Sequence, residues 1–293
     1  MKTMGTVIPA LVTPFTDRGD VDYQQAVRLA EHLIAEGCDA LVVAGTTGES
    51  PTLSTHEKLT LFERMVDHLG DRCFIWAGTG NNSTADSVSL TKEAEKIGVD
   101  GVMLVTPYYN KPSQEGLYQH FAHVASSTNL PVMLYNVPSR TGVNLQPATA
   151  ARLSRIENIV ALKEASGNLD QMSELVLQCD PNFVIYSGED SLVLPMLSLG
   201  AKGVVSVAAH LVAADLRKMV DAFAEGRTDE ARKIHQKIFP LCKALFVTTN
   251  PVPVKQALEW QGWRMGGYRE PLVNMSDEEA RVLRHAMDTC ITK

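Results

Sequence analysis

The chain has 293 residues, of which 45% are apolar and 21% are charged, and its formal net charge is −7. It is long and apolar enough to bury a sizeable core in one large domain or two modest ones, which excludes fibrous, disordered and small disulfide-stapled proteins. Lysine and arginine are dispersed without a basic run, so the composition disfavours a nucleic-acid partner. The five cysteines occur singly, which is typical of reduced thiols in a cytosolic protein.

Neither an export signal nor a membrane anchor is visible. The first residues lack the apolar core and the small-residue cleavage site that export requires. The longest apolar runs, such as residues 101–105 and 204–209, are far shorter than the roughly 20 residues that cross a bilayer. We therefore predict a soluble cytoplasmic protein without a membrane partner.

Short apolar runs rich in β-branched residues recur along the chain, each bounded by turn residues. They predict strands at residues 7–11, 40–43, 73–77, 101–105, 132–135, 159–163, 183–187 and 203–207. Apolar residues at three- and four-residue intervals predict the intervening helices at residues 23–35, 56–69, 83–97, 116–126, 147–155, 169–178 and 192–199. Strand and helix therefore alternate through the first two-thirds of the chain.

This alternation predicts an α/β protein built as a (β/α)8 TIM barrel. The strands are continuous apolar runs, as in parallel sheets buried on both faces, and eight units of roughly 30 residues match the size of such a barrel. A doubly wound open sheet is the alternative, but it usually has fewer strands and a glycine-rich turn after the first one. Here Thr13-Pro14-Phe15 follows the first strand instead.

Strand signals cease near residue 213, and helical periodicity continues. It predicts helices at residues 216–223, 230–246 and 254–260, and a last helix that begins at Ser276. We therefore divide the chain into a catalytic barrel, residues 1–224, and a C-terminal helical region, residues 225–293.

Polar residues and glycines cluster directly after the strands. The clusters occupy residues 45–49, 78–81, 106–109, 135–138, 163–166 and 187–190. The carboxyl ends of barrel strands meet at one face, which carries the active site in this fold. Six segments that are distant in sequence are therefore expected to form one pocket.

Lys163 ends the otherwise apolar sixth strand. A closed barrel has no edge, so this side chain must enter the interior or lie at its mouth, where it is partly desolvated. Desolvation lowers the pKa of a lysine, and the neutral amine is the form that attacks a carbonyl group. Lys163 therefore predicts a Schiff base with a keto compound, in an aldolase or lyase that needs no metal and no organic cofactor.

The neighbouring strand ends supply hydroxyl groups and one arginine. Tyr135 ends the fifth strand, Tyr109 follows the fourth, and Thr46 and Thr47 follow the second. Each has an ordinary structural explanation, but together around one lysine they predict a chain of hydroxyls that passes protons. Arg140 follows the fifth strand, and its planar guanidinium would bind a carboxylate with two hydrogen bonds.

Three motifs resemble those of a known family. GTTGES at residues 45–50, YNVPSRTG at 135–142 and KEASG at 163–167 are similar in order and separation to the dihydrodipicolinate synthase family of pyruvate-dependent Schiff-base lyases. The resemblance covers nearly the whole chain. It implies condensation of pyruvate with L-aspartate 4-semialdehyde to 4-hydroxy-tetrahydrodipicolinate, in diaminopimelate and lysine biosynthesis.

The same resemblance implies the catalytic roles. The lysine matching Lys163 forms the Schiff base with pyruvate, and the tyrosine matching Tyr135 donates and accepts protons. The matches to Thr47 and Tyr109 complete the proton relay, and the tyrosine reaches in from the neighbouring subunit. The family usually forms a homotetramer, a dimer of such dimers.

Substrate-binding roles follow from the resemblance as well. Arg140 would bind the carboxylate of the semialdehyde. Thr46 and Thr47 would hold the pyruvate carboxylate through their backbone amides. Gly188 and Val205 would line the pocket.

Other functions stay open at this point. N-acetylneuraminate lyase and the keto-deoxy-sugar acid aldolases share the barrel and the lysine, although they tend to lack an arginine where Arg140 stands. A metal-dependent barrel enzyme and a non-catalytic keto-acid binder are the alternatives from other classes. His120 and His123 lie on one helical face, but no third ligand is placed to join them, and we predict no metal site.

One departure from the family concerns regulation. Lysine-inhibited members bind lysine at the dimer interface with histidines in the helix after the GTTGE loop. Thr55 and Lys58 stand at the matching positions, and Lys58 would repel a cationic inhibitor. We therefore predict weak or absent feedback inhibition by lysine.

Overall fold

The computed structural model describes residues 2–291 and contains the barrel that the strand pattern predicts. Its strands are β1 (Val7–Pro9), β2 (Ala40–Val43), β3 (Phe74–Gly78), β4 (Gly101–Val105), β5 (Val132–Asn136), β6 (Ile159–Glu164), β7 (Val184–Ser187) and β8 (Gly203–Ser206). Each strand pairs in parallel with its neighbour, and β1 pairs with β8. A parallel bridge between Ala10 and Val42 joins the first two strands and completes the ring. The (β/α)8 fold class is confirmed.

Helices surround the barrel and continue beyond it. They are α1 (Tyr23–Ala35), α2 (Thr55–Leu69), α3 (Thr84–Ile97), α4 (Gln114–Ala125), α5 (Pro138–Thr141), α6 (Pro147–Leu153), α7 (Leu169–Gln178), α8 (Val193–Ser198), α9 (Ala209–Ala224), α10 (Thr228–Ala244), α11 (Val252–Trp260) and α12 (Asp277–Cys290). Many of them begin at a side chain that satisfies the free N–H groups of the first turn. Ser54 and Ser276 form capping boxes at the starts of α2 and α12.

The predicted start of the helix at residue 216 is wrong, because α9 begins at Ala209. Asp190 holds the chain that leads into this helix, although no side chain caps its first turn. Asp190, which follows β7, accepts hydrogen bonds from the backbone N–H groups of Val207 and Ala208 at 3.0 and 2.9 Å. The residue pattern around position 209 does not indicate this contact, because another strand end supplies it.

Alternation of side chains along the strands separates two apolar layers. Met133 and Ala161 belong to the cluster inside the barrel, whereas Leu134 and Leu162 belong to the cluster between the strands and the helices. The residue two positions beyond Ala161 therefore shares its face. This geometry turns Lys163 into the barrel.

The C-terminal helices pack on the barrel rather than forming a separate core. Leu241, Leu258 and Leu283 belong to the same cluster as the outer faces of the strands. The division at residue 224, where α9 ends, stays a prediction. Within residues 2–291, no helix is both long and apolar enough to cross a membrane.

Candidate active site

Lys163 lies in the barrel interior near the carboxyl end of β6, with only 5% of its surface exposed. It pairs in register with Tyr135 of β5, and its Nζ lies 4.2 Å from the centroid of the Tyr135 ring. Burial lowers the pKa of Lys163 to about 8, since an ammonium group loses hydration in the interior. The lysine is therefore much closer to its neutral, nucleophilic form at pH 7 than a solvated one.

A cavity of about 510 Å³ opens over this amine. Its walls include the predicted site residues Thr46, Thr47, Tyr135, Arg140 and Gly188. Together with Lys163 of β6, these residues come from the ends of four strands, as expected for the catalytic face of a barrel. The structure thus brings six of the eight predicted site residues, Lys163 included, around one space.

Two hydroxyl contacts distinguish Thr46 from Thr47. Burial raises the pKa of the Tyr135 phenol, while the charge of Arg140 and a hydrogen bond with the Thr46 side chain lower it. Thr47 Oγ1 instead accepts a hydrogen bond from Asn250 Nδ2 at 2.9 Å. The hydroxyl next to the phenol is therefore that of Thr46, and the relay role of Thr47 stays a prediction.

The turn at residues 45–49 leaves two backbone donors free. Its internal hydrogen bonds run from Gly48 N to Gly45 O and from Glu49 N to Thr46 O, both at 3.1 Å. Within the described part of the chain, the N–H groups of Thr46 and Thr47 have no acceptor. Successive free N–H groups in a turn form a concave binding site for an anion.

Arg140 lies on the short helix α5 at the cavity wall. Its Nη2 donates a hydrogen bond to the backbone carbonyl of Asn250 at 3.3 Å. The tail beyond the barrel therefore holds the guanidinium in place. The remaining N–H groups of the fork are available to a carboxylate in the cavity.

Gly188 leaves room for the lysine side chain. A Cβ at this position would lie 2.7 Å from the Cβ of Ala165 and 3.2 Å from the Cε of Lys163. The Cβ of Ala165 is fixed to the backbone, whereas the end of the Lys163 side chain borders the cavity and can shift. Any larger residue at position 188 would therefore displace the reactive side chain.

Comparison with known proteins agrees with this geometry. Residues 3–289 match the model of the dihydrodipicolinate synthetase family. The chain belongs to this family. It is 57% identical over 280 residues to a 4-hydroxy-tetrahydrodipicolinate synthase of Desulforudis audaxviator (strain MP104C), covering 96% of this chain and 95% of that protein.

Solved structures of the family share the whole architecture. The crystal structure of a dihydrodipicolinate synthase from Bacillus anthracis has a TM-score of 0.96 at 46% identity and covers 100% of both chains. A second one, from Cyanidioschyzon merolae with lysine bound, has a TM-score of 0.96 at 46% identity and covers 98% of both chains. The barrel and the helical tail are therefore both part of the family fold.

Two predicted site residues lie outside the cavity. Tyr109, which follows β4, is 90% exposed and has a left-handed backbone with φ of +73°. Val205 is buried in the cluster inside the barrel, and its neighbour two residues on, Val207, is the one that lines the cavity. The roles predicted for Tyr109 and Val205 stay predictions.

The sequence patterns do not predict one wall of the cavity. It consists of Phe246, Thr248, Thr249 and Asn250, from the segment between α10 and α11. The Asn250-Pro251 pair is a turn signal, but nothing in a turn signal indicates that the segment folds back over β2 and β5. Only the packing of the tail brings it to the site.

Proposed function

We propose that this protein condenses pyruvate with L-aspartate 4-semialdehyde, through a Schiff base on Lys163, to give 4-hydroxy-tetrahydrodipicolinate for lysine and diaminopimelate biosynthesis. The observation that carries the proposal is a buried amine with a pKa of about 8 at the floor of the cavity. The family to which the chain belongs contains close relatives named for this synthase activity.

Imine formation uses the groups that surround Lys163. The free N–H groups of Thr46 and Thr47 bind the pyruvate carboxylate, which places the keto carbon near Nζ. The neutral amine attacks that carbon, and the carbinolamine then loses water. Tyr135, whose phenol lies next to the Thr46 hydroxyl, supplies a proton to the departing hydroxyl and recovers one in the next step.

Carbon–carbon bond formation follows from the imine. Removal of a proton from the methyl carbon sends an electron pair to the imine nitrogen and leaves an enamine, which attacks the aldehyde carbon of the second substrate. Arg140 binds the carboxylate of that substrate and orients it. The substrate's own amine then replaces Lys163 on the imine carbon, closing the ring and freeing the enzyme. Overall, one water molecule is released.

This chemistry takes its electron sink from the imine, so we propose that the enzyme works without metal or organic cofactor. The described cysteines are all free thiols, and this supports a reducing compartment, the cytoplasm.

We also propose an oligomer. An exposed tyrosine held in a left-handed backbone is an unusual surface feature unless a partner covers it, and Tyr109 fits a contact with the cavity of a second copy. Helix α7 presents exposed Leu169, Val176 and Leu177, an apolar face suited to a second contact. Together these surfaces support a homotetramer, a dimer of dimers.

Borohydride reduction in the presence of pyruvate tests the proposal. We expect a stable adduct on the peptide that contains Lys163, and none in the Lys163→Ala variant. Turnover is then compared between L-aspartate 4-semialdehyde and the sugar aldehydes used by related lyases. An adduct on another residue would contradict the mechanism, and turnover of a sugar aldehyde alone would assign a different lyase.

A further inference from the structure

We propose that the buried ion pair of Glu49 and Lys255 is a positioning device: it ties the C-terminal tail to the turn at residues 45–49 and so holds the N–H groups of that turn where the pyruvate carboxylate binds. This inference rests on the proposed function, since it concerns the same carboxylate. It gives a role in the reaction to a charged pair that does not touch the substrate.

The pair is completely enclosed. Glu49 Oε1 lies 2.8 Å from Lys255 Nζ, and the side chains are 2% and 0% exposed. Lys255 Nζ also donates to the carbonyl of Thr13 at 3.0 Å, and Glu49 Oε2 accepts from the backbone N–H of Arg269 at 3.0 Å. The pair therefore joins four segments: the turn after β2, the connection after β1, helix α11 and the chain beyond α11.

Glu49 has a backbone conformation that needs such support. Its φ is +57°, in the left-handed region that residues other than glycine seldom adopt. A conformation of this kind persists where the surroundings fix it, and such positions cluster at functional sites. The contacts of the Glu49 carboxylate supply that restraint.

The restraint reaches the anion site through the backbone. Glu49 N donates to Thr46 O at 3.1 Å, and Thr13 Oγ1 donates to the carbonyl of Gly48 at 2.7 Å. A shift of Glu49 would therefore rotate the peptide groups that carry the free N–H donors. Neither Glu49 nor Lys255 lines the cavity over Lys163, so the turn is their route to the reaction.

Stability alone does not explain a charged pair at this place. Removing two charges from water is costly, and apolar residues of similar volume often stabilise a fold as well as a buried ion pair does. What the charges add here is a fixed orientation of the Glu49 carboxylate. The carboxylate has to meet a backbone N–H with one oxygen and the ammonium with the other.

The test separates this role from a contribution to stability. Glu49→Gln and Lys255→Met each leave one buried charge unpaired, so each is expected to lower Tm. The double variant Glu49→Gln/Lys255→Met leaves no unpaired charge and is expected to recover most of the lost Tm. We expect half-saturation of borohydride trapping by pyruvate to need at least about tenfold more pyruvate in the folded double variant.

A control ion pair, whose side chains are 28% and 25% exposed, lies at the opposite end of the barrel. Asp39, just before β2, pairs with Arg217 of α9 at 2.5 Å and also accepts from the backbone N–H of Thr6. The double variant Asp39→Asn/Arg217→Met removes this second ion pair. It is expected to lower Tm and to leave half-saturation by pyruvate within about twofold of the unaltered protein.

Two outcomes would overturn the inference. One is normal half-saturation by pyruvate in the folded double variant; the other is an equal change in the control. Should the double variant fail to fold, Glu49→Asp, which keeps the charge and shortens its reach, decides by the same measurement, and normal half-saturation again counts against the pair. Trapping uses pyruvate alone, so a failed inference leaves the proposed reaction intact. Absence of trapping in the unaltered protein would instead contradict the proposed function.

Discussion

The reactivity of Lys163 depends on its burial and on the charges around it. Burial lowers its pKa to about 8, nearby Asp190 raises it, Arg140 lowers it, and Glu189 raises it. At pH 7, a pKa of about 8 leaves about one lysine in ten neutral, against about one in 3,000 at the ordinary value. We therefore expect the rate of imine formation to rise with pH and to level off above about pH 8, as measured by borohydride trapping with saturating pyruvate.

Two substitutions should move this profile in opposite directions. Arg140→Ala removes a positive charge that disfavours the ammonium form, so the midpoint moves to higher pH. Glu189→Gln removes a negative charge that favours it, so the midpoint moves to lower pH. Trapping with pyruvate alone keeps the second substrate out of the measurement. Midpoints that move in the same direction would show that these charges do not act on Lys163.

His210, the second residue of α9, forms hydrogen bonds with the segments that follow β1 and β8, and these bonds require a neutral ring. Its Nε2 accepts a hydrogen bond from the backbone N–H of Val12 at 3.2 Å, and its Nδ1 pairs with the carbonyl of Val207 at 2.9 Å. Burial lowers the pKa of His210 to about 4. The unfolded chain binds this proton near pH 6.5, whereas the folded protein binds it only near pH 4.

Stability should therefore fall between about pH 6.5 and pH 4, by an amount on the order of 3 kcal/mol from this residue. The His210→Gln variant is expected to be less stable at pH 7.5 but to lose less stability on acidification. Urea unfolding at a series of pH values measures the difference. If the free energy of unfolding depends on pH equally in the two proteins, then the pKa of His210 does not differ between the folded and unfolded states.

At the scale of the elements, the sequence predicts a helix or strand correctly where contacts close in sequence determine its bounds. Helices α1 and α7 begin and end at the residues that the periodicity predicts, and Ser276 caps α12 as its sequence pattern indicates. The sequence predicts the strands because parallel strands buried on both faces are continuous apolar runs. The pattern of strand ends alone predicts that Lys163 and Tyr135 lie at one face of the barrel.

Elements that depend on distant contacts were missed. The chain that leads into α9 is held by Asp190 from the preceding strand end, and the segment 246–250 reaches the cavity only because the tail packs on the barrel. The choice between Thr46 and Thr47 as the partner of Tyr135 likewise depends on side-chain directions in a tight turn. Residue types and their spacing do not predict these side-chain directions.

The amino end of α2 borders a second cavity of about 750 Å³, lined by Ser50, Thr55, Lys58 and Tyr108 among others. One solved relative has lysine bound. Lys58 places a cationic side chain in this cavity, and like charges repel. We expect an inhibition curve with L-lysine to show little effect at millimolar concentrations, and strong inhibition would contradict this. In that event, Lys58→Ala provides the comparison that shows whether lysine enters this cavity.

At the scale of the whole molecule, one chain supplies every proposed catalytic group except one. Tyr109 does not line the cavity of its own chain, and 90% of its surface is exposed. If a second copy provides it, each site depends on two chains, and catalysis depends on assembly. Light scattering should then show an oligomer under the conditions in which the protein is active.

Mixed oligomers test whether Tyr109 acts between subunits. Lys163→Ala lacks the nucleophile, and Tyr109→Ala lacks the relay tyrosine, so each protein alone should be nearly inactive. In a hybrid dimer, the subunit that retains Lys163 receives Tyr109 from its partner, and one of the two sites is complete. Activity should therefore return when the two variants are dissociated and reassembled together, and only then. If mixing restores nothing although mass spectrometry detects hybrid dimers, then Tyr109 does not act across the interface.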